Sequence, residues 1–452
     1  MSELLTLARL MEAGAGRGRV IATRDWRLGL DDFTHATSLA VDLEALAGRS
    51  ILLAVGDMAK AAAALIELDG LARRVVLCPP GFDLGGVDEY ARLAEADALV
   101  HDGDEAGPAM ALELAVACRL PLAPLRSARL RRFATQWVMP TSGTSGAPKL
   151  VAHNLATLTG GFRPAPAQRW ATFYDIRRYG GLQIFLRALS GSESLTLSSP
   201  GESVEAYLVR LGEAGARQVS GTPSHWRKVL MSKHARRIDP ETVRLSGEIA
   251  DDAVLEALGA VFPRARVEHA YASTEAGVAF AVADGRAGFP ASLVDADGDV
   301  EMKVVDDSLR IRSNRTALGY VGPDAPPLRD ADGFVDTGDI VERRGDRFVF
   351  AGRRGGIINV GGAKVHPEEV EAALNGHEAV RASRVFARKN PITGALVAAE
   401  VVLREGVSPR EGLSAEILAA CRTALPAHKA PSFLRFVTDL PMTDGGKLAR
   451  HG

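Results

Sequence analysis

Nine consecutive residues, Thr141-Ser142-Gly143-Thr144-Ser145-Gly146-Ala147-Pro148-Lys149, place four hydroxyls, two glycines and a lysine between the apolar runs 136–139 and 150–152. Glycine lets a backbone approach an anion closely, hydroxyls donate to oxyanions, and lysine adds a point charge. The stretch therefore reads as a phosphate grip. It is not a Walker A loop, because Pro148 stands where that motif needs its second glycine and Leu150 follows the lysine. Glu275, directly after the hydroxyl of Thr274, is placed to hold Mg2+ against a triphosphate, since hard cations take oxygen ligands. Tyr271 offers a flat face to adenine. Asp339 is acceptor-only when ionised, as a pair of ribose hydroxyls requires, and Arg353 could meet ribose or phosphate. Each residue alone has a plainer reading as a polar turn, a core tyrosine or a solvated charge. Their combination carries the argument.

Short apolar runs alternating with amphipathic stretches must position these groups. Strands are expected at 50–55, 75–78 and 98–101 with a helix at 59–68. The rhythm returns with strands at 194–197, 216–220, 243–246 and 266–271 and helices at 204–212, 223–233 and 252–261. Such alternation predicts an α/β fold with mostly parallel sheets flanked by helices. Past residue 285 a hairpin at 300–305 and 308–313 and a strand at 347–351 predict a small antiparallel portion. The run Gly352-Arg353-Arg354-Gly355-Gly356 breaks the chain. A small α+β unit follows. Its first helix opens at Pro367 with Glu368 and Glu369 in the first turn, two strands flank a turn at 390–394, and a helix at 415–425 stops before Pro426. The domains are expected to be 1–352 and 353–452.

The 452 residues are 46% hydrophobic and 24% charged, with a formal net charge of −2. That composition suits a folded chain and provides no basic field for nucleic acid or an anionic membrane. The basic clusters 126–132 and 228–237 read as solvated faces. Cys78, Cys118 and Cys421 form neither a disulfide framework nor a zinc pattern. No apolar run approaches a membrane span and residues 1–16 lack a secretory core, so the expected location is cytoplasmic.

Five segments in order resemble the motifs of the adenylate-forming superfamily of acyl-CoA synthetases, adenylation domains and luciferases. They are the Thr141-to-Lys149 loop, Tyr271-Ala272-Ser273-Thr274-Glu275, Asp336-Thr337-Gly338-Asp339, Gly352-Arg353 with the Gly361-Gly362-Ala363-Lys364 loop after it, and the terminal run from Pro441 through Lys447 to Arg450. Gly247-Glu248 resembles the stretch whose backbone lies along the adenine. The resemblance implies a large N-terminal domain and a small mobile C-terminal one. It implies a ligase that adenylates a carboxylic acid with Mg-ATP and then passes the acyl group to a thiol, of coenzyme A or of a phosphopantetheine carrier protein. It makes Lys447 the mobile cation of the first step, acting with Thr144, Lys149 and the metal-holding Glu275. It puts Thr141, Ser142, Gly143, Ser145, Gly146, Gly247, Glu248, Tyr271, Thr274, Asp339, Arg353, Gly361, Gly362 and Lys364 around nucleotide or pantetheine.

Two departures stand out. The acidic residue common after the hinge Gly-Arg pair is replaced by Arg354, Gly355 and Gly356. The acyl-pocket segment holds Tyr174, Asp175, Arg178, Tyr179 and Gly180 where relatives commonly place an aromatic-His pair. Arg177, Arg178 or Asp175 is therefore expected to meet a polar substituent on the acid, and Asp175 resembles the acid that holds an α-amine in amino-acid adenylation domains. A nucleotide-binding protein without catalysis is the alternative of another class.

Overall fold

The computed structural model describes residues 4–13, 18–79, 87–103, 112–127, 129, 131–141, 149–163, 168–360, 363–390, 394–443 and 447–449. Two eight-stranded sheets form the larger part. In the first, the parallel strands Ser194–Leu197, Arg169–Thr172, Gln218–Gly221, Thr242–Ser246 and Arg266–Ser273 lie side by side. Gly277–Val282 closes that row antiparallel. The second sheet pairs Arg74–Leu77, Ser50–Ala54 and Ala98–His101 in parallel and continues through Gln136–Thr141 to Lys149–His153.

One apolar core joins the sheets. It contains Ile51, Leu53 and Trp137 of the second sheet, Leu195 and Leu197 of the first, and the helices Met58–Leu68 and Tyr179–Leu189 between them. A helix buried on every side must be apolar all round and slim. Met58–Leu68 is slim, with Ala59, Ala61, Ala62, Ala63 and Ala64 all fully buried, and its one buried charge, Glu67, is paired with Arg129 and accepts from Ser38. Asp57 starts it by accepting hydrogen bonds from the backbone N–H groups of Ala59 and Lys60.

A second core covers the other face of the first sheet, where Val219, Val243 and Leu245 meet helices Val204–Glu213, Pro223–Met231 and Asp252–Val261. Because side chains alternate along a strand, Ser220, Arg244 and Glu268 point the opposite way, toward the Tyr179–Leu189 side. The antiparallel sheet holds Phe289–Pro290, Arg347–Arg353, Val335–Arg344, Ser308–Ser313 and Val300–Val305. From Ile358 on, the chain builds its own core from Val365, Val370, Leu374, Val385, Val401, Ile417 and others. The α/β architecture expected from the alternating pattern is present. Gly352, at φ +144°, stands at the junction, where a Cβ would collide with the Glu368 carboxylate.

Packing in the helix between the sheets leaves no slack. Ala62→Leu should lower the unfolding midpoint, as overpacking by about 1–3 kcal/mol does. An unchanged thermal midpoint would show that the two sheets can part.

Candidate active site

Lys447 lies in a tight turn near the end of the chain, where its N–H donates to the Thr443 hydroxyl and its carbonyl accepts from the Thr443 N–H. Its Cε and Nζ come to 3.3 and 3.7 Å from where a Cβ on Gly247 would stand. Gly247 has φ +86°, a conformation glycine adopts freely, and the bare backbone lets the lysine approach. Glu248 secures the approach. Its carboxylate accepts from the Ser224 N–H at 2.9 Å, the Ser224 hydroxyl at 3.0 Å and the Leu448 N–H at 2.8 Å. Asn375 adds a 3.4 Å hydrogen bond to Asp251. Lys447 keeps solvent contact, yet protein crowds it at slightly longer range. That burial lowers its pKa below the ordinary lysine value. Arg353 and Arg178 push the same way, and Glu248 and Asp339 push back.

The same charges mark the neighbouring wall. Arg353 Nε donates to Asp339 at 2.7 Å, and the Tyr271 hydroxyl donates to the other carboxylate oxygen at 2.5 Å. The strands Val335–Arg344 and Arg347–Arg353 pair Asp339 directly with Arg353, so register sets this contact. Burial opposes the charge on Arg353, but Asp339 outweighs it and raises the guanidinium pKa. Burial, then Asp339, raises that of Tyr271. Tyr271, expected to face adenine, stacks on Phe350 at 5.2 Å and 8° and on Phe280 at 5.7 Å and 21°.

Lys149 and Glu275 meet around Tyr320. Lys149 Nζ stands 5.1 Å over the Tyr320 ring, and burial followed by the charge of Glu275 pushes the Tyr320 hydroxyl up to about 12. Strand Gly319–Val321 pairs with Lys149–His153 and carries Tyr320 there. Thr141 closes the base of the loop opposite Lys149. Ser142, Gly143, Thr144, Ser145, Gly146, Gly361 and Gly362 lie outside the described residues. Lys364 is exposed on strand Ala363–Val365 and makes no ion pair with a described residue.

The pocket segment corrects one expectation. Arg177 is buried and donates to Asp175 at 2.6 Å, and to the carbonyls of Val55 and Gly56, just past the strand Ser50–Ala54 of the other sheet. Asp175 and Arg177 are thus spent on each other and on joining the sheets, leaving neither free for a substituent or an α-amine. Arg178 remains at the site, beside Lys447. The Tyr174 hydroxyl sits 2.7 and 2.8 Å from the carbonyls of Gly221 and Ser246 and so props the Gly247 turn. Gly180 packs on the Tyr174 ring.

Sequence reasoning missed His153. Fully buried, it stands 2.7 Å from the Thr274 carbonyl through Nε2 and 2.8 Å from the Thr157 hydroxyl through Nδ1. Nε2 must carry the proton, since a carbonyl can only accept. His153 thereby anchors the Thr274-Glu275 turn. Nothing but position beside the phosphate loop could have marked it.

Residues 58–321 match the family described as AMP-binding enzyme, and residues 369–447 match the AMP-binding enzyme C-terminal domain. The chain belongs to this family, within the adenylate-forming superfamily. It is 30% identical over 351 residues to an isonitrile lipopeptide synthase of Streptomyces coeruleorubidus, covering 70% of this chain and 23% of that protein. It is 26% identical over 342 residues to the mitochondrial acyl-coenzyme A synthetase ACSM5 of Homo sapiens, covering 69% of this chain and 59% of that one. The chain thus spans less than two thirds of either relative. Its fold is that of the anthranilate CoA ligase AuaEII in complex with anthranoyl-AMP, with a TM-score of 0.79 at 18% identity over 99% of this chain and 96% of the other.

Burial holds the imidazoles of His153 and His225 in this family member down at about 4. A depressed histidine pKa adds stability that is complete above the unfolded value of about 6.5 and lost as pH falls through the folded value. The thermal midpoint should therefore drop between pH 6.5 and about 4, with a shallower slope in His153→Leu. Equal slopes in wild type and variant would place the proton uptake elsewhere.

Proposed function

We propose that the protein activates a carboxylic acid with Mg-ATP and transfers the acyl group to the thiol of coenzyme A. One observation carries this reading: Lys447, arriving from the far end of the chain, lies 3.3 Å from the Cβ position of Gly247, among Arg353, Asp339 and Arg178. A carboxylate cannot donate its acyl group, because oxide is a poor leaving group. Attack of the carboxylate oxygen on the α-phosphorus of ATP forms the acyl-adenylate and expels pyrophosphate. Negative charge crowds as these oxygens meet, and fixed cations in a partly dehydrated cleft lower that barrier. Lys447 supplies the charge between the carboxylate and the α-phosphate, and Lys149 the charge near the loop. Asp339, aligned by Arg353 and Tyr271, accepts from the ribose hydroxyls.

Glu275 fits Mg2+. Its carboxylate has no ion-pair partner among the described residues, and no cluster of three His, Cys, Asp or Glu stands there. A single carboxylate suits a cation held mainly by phosphate and water, which would offset the triphosphate charge. In the second step the thiolate sulfur attacks the acyl carbonyl and AMP leaves. Lys447 then has no task, and movement of the 353–452 unit about Gly352 would open the path for the thiol. The likeness to an isonitrile lipopeptide synthase keeps loading onto a phosphopantetheine carrier as the second reading. Thioester assays with coenzyme A and with a loaded carrier separate the two.

Carboxylate-dependent exchange of pyrophosphate into ATP across a panel of acids should be positive. No exchange with any acid, while ATP still binds, would leave a nucleotide-binding protein. Lys447→Ala should cut exchange by about two to three orders of magnitude. Glu248→Ala should slow exchange but spare thioester formation from a supplied acyl-adenylate, because it loosens only the adenylating arrangement. Equal losses in both steps would show that Glu248 acts on folding.

A further inference from the structure

Between the Tyr179–Leu189 helix and the first sheet lies a layer far more polar than a core. Strand register turns Ser220, Arg244 and Glu268 toward it. The helix contributes Tyr179, Gln183 and Arg187. Glu268 is already paired twice, with Arg244 and, at 3.3 Å, with Arg266. Arg187 has no carboxylate partner among the described residues. Its guanidinium lies 4.4 Å over the Phe162 ring, with Arg244 and Arg315 close enough to repel it. Arg315 crosses Gly161 and donates one hydrogen bond to the Val278 carbonyl at 3.1 Å, while its Nε is buried without a partner.

Two hydroxyls here are also unsatisfied. Ser220 Oγ, on a fully buried residue, has no hydrogen-bond partner. The Tyr179 hydroxyl, on a residue 6% exposed, lies beside the Val278 backbone without a hydrogen bond of ordinary geometry. Unpaired buried donors and a half-buried cation with no ion pair of its own are costly unless something fills their needs. Burial, then Arg244, pulls Arg187 down to about 10, and Tyr179 and the shared carboxylate of Glu268 offset this only in part.

We propose that the acid this enzyme activates carries a second carboxylate, received by Arg187 with the hydroxyls of Tyr179 and Ser220 and with Arg315 beside them. This rests on the adenylating reading above and names its substrate class. The chemistry of the layer is selective. It offers guanidinium and hydroxyl donors, and its one carboxylate is taken, so an anionic acceptor fits and an ammonium group does not. Lys447 works at the Arg178 end of the helix. Arg187 lies eight residues beyond Tyr179, about 12 Å along the axis, and reaches back toward the helix N-terminus. Because Arg187 reaches back, the gap is shorter than that, and a linear dicarboxylate of about six to eight carbons, about 6–9 Å between its end carbons, fits it.

The test compares adipate, pimelate and suberate with hexanoate, heptanoate and octanoate in pyrophosphate exchange, using the full chain and Arg187→Met. Wild type should favour each diacid by about ten- to a hundredfold in kcat/KM, the scale of a charge-assisted hydrogen bond, and the variant should favour the monoacids. A wild type that prefers monoacids, or a ratio untouched by Arg187→Met, overturns the proposal while leaving adenylation intact. A thermal-shift measurement needs no catalysis: suberate should raise the midpoint of wild type and not of Arg187→Met, and no difference between them overturns the proposal. Without ligand the variant should melt higher, since it sheds a desolvated charge. A lower midpoint would make Arg187 a packing residue and also overturn it.

Discussion

The hydrogen bond from the Leu448 N–H to the Glu248 carboxylate ties the end of the chain to the larger part. It joins residues 200 positions apart and is made by the residue next to Lys447. One hydrogen bond to a charged group contributes only about 1.5–3 kcal/mol. That is enough to favour one arrangement of two folded units and small enough to be exchanged for another. Two hydrogen bonds from Ser224 orient the glutamate, so the anchor on the larger part is rigid. In the function we propose, Lys447 serves only one of two chemical steps, and docking that can be exchanged suits that role.

Around that dock, charge is arranged before any ligand arrives. Asp339, Arg353 and Tyr271 hold one another, and Lys447 is brought near them, crowded by protein but still in contact with solvent. The two parallel sheets make this order possible. Their strand ends present Ser246-Gly247, the 271–275 turn, Thr141 and Lys149, while Arg177 ties one sheet to the other. Arg187, packed over Phe162 but without an ion pair among the described residues, is where we propose that the ligand's second charge belongs.

Much of the fold was legible because it is local. The strands at Ala98–His101 and Ser194–Leu197, the hairpin of Val300–Val305 and Ser308–Ser313 and the helix Asp252–Val261 fall where apolar periodicity and capping predict. The helix 223–233 was read two residues too long, since Ser232 closes it by donating to the Val229 carbonyl. The structure also places Lys447, Gly247, Glu248, Asp339 and Arg353 near one another. What failed depends on partners distant in sequence. Nothing local shows that Arg177 is spent on Val55, 122 residues away, or that His153 holds Thr274. The isolation of Arg187 emerges only from the register of Gln218–Gly221, Thr242–Ser246 and Arg266–Ser273, which spends Glu268 on Arg244. Sequence reading looked for the substrate's polar partner at Asp175, Arg177 and Arg178, of which the structure spends Asp175 and Arg177 on each other, and it did not single out Arg187, which we propose for that role.

The central claim is that this arrangement of the two parts is the adenylating one. Cysteines placed at Ser224 and Leu448 and joined by a short bismaleimide would lock it, and the native Cys78, Cys118 and Cys421 are buried. The account predicts that the cross-linked protein keeps pyrophosphate exchange and loses thioester formation. A cross-linked protein that forms thioester at the uncross-linked rate, or that has lost exchange, would contradict it.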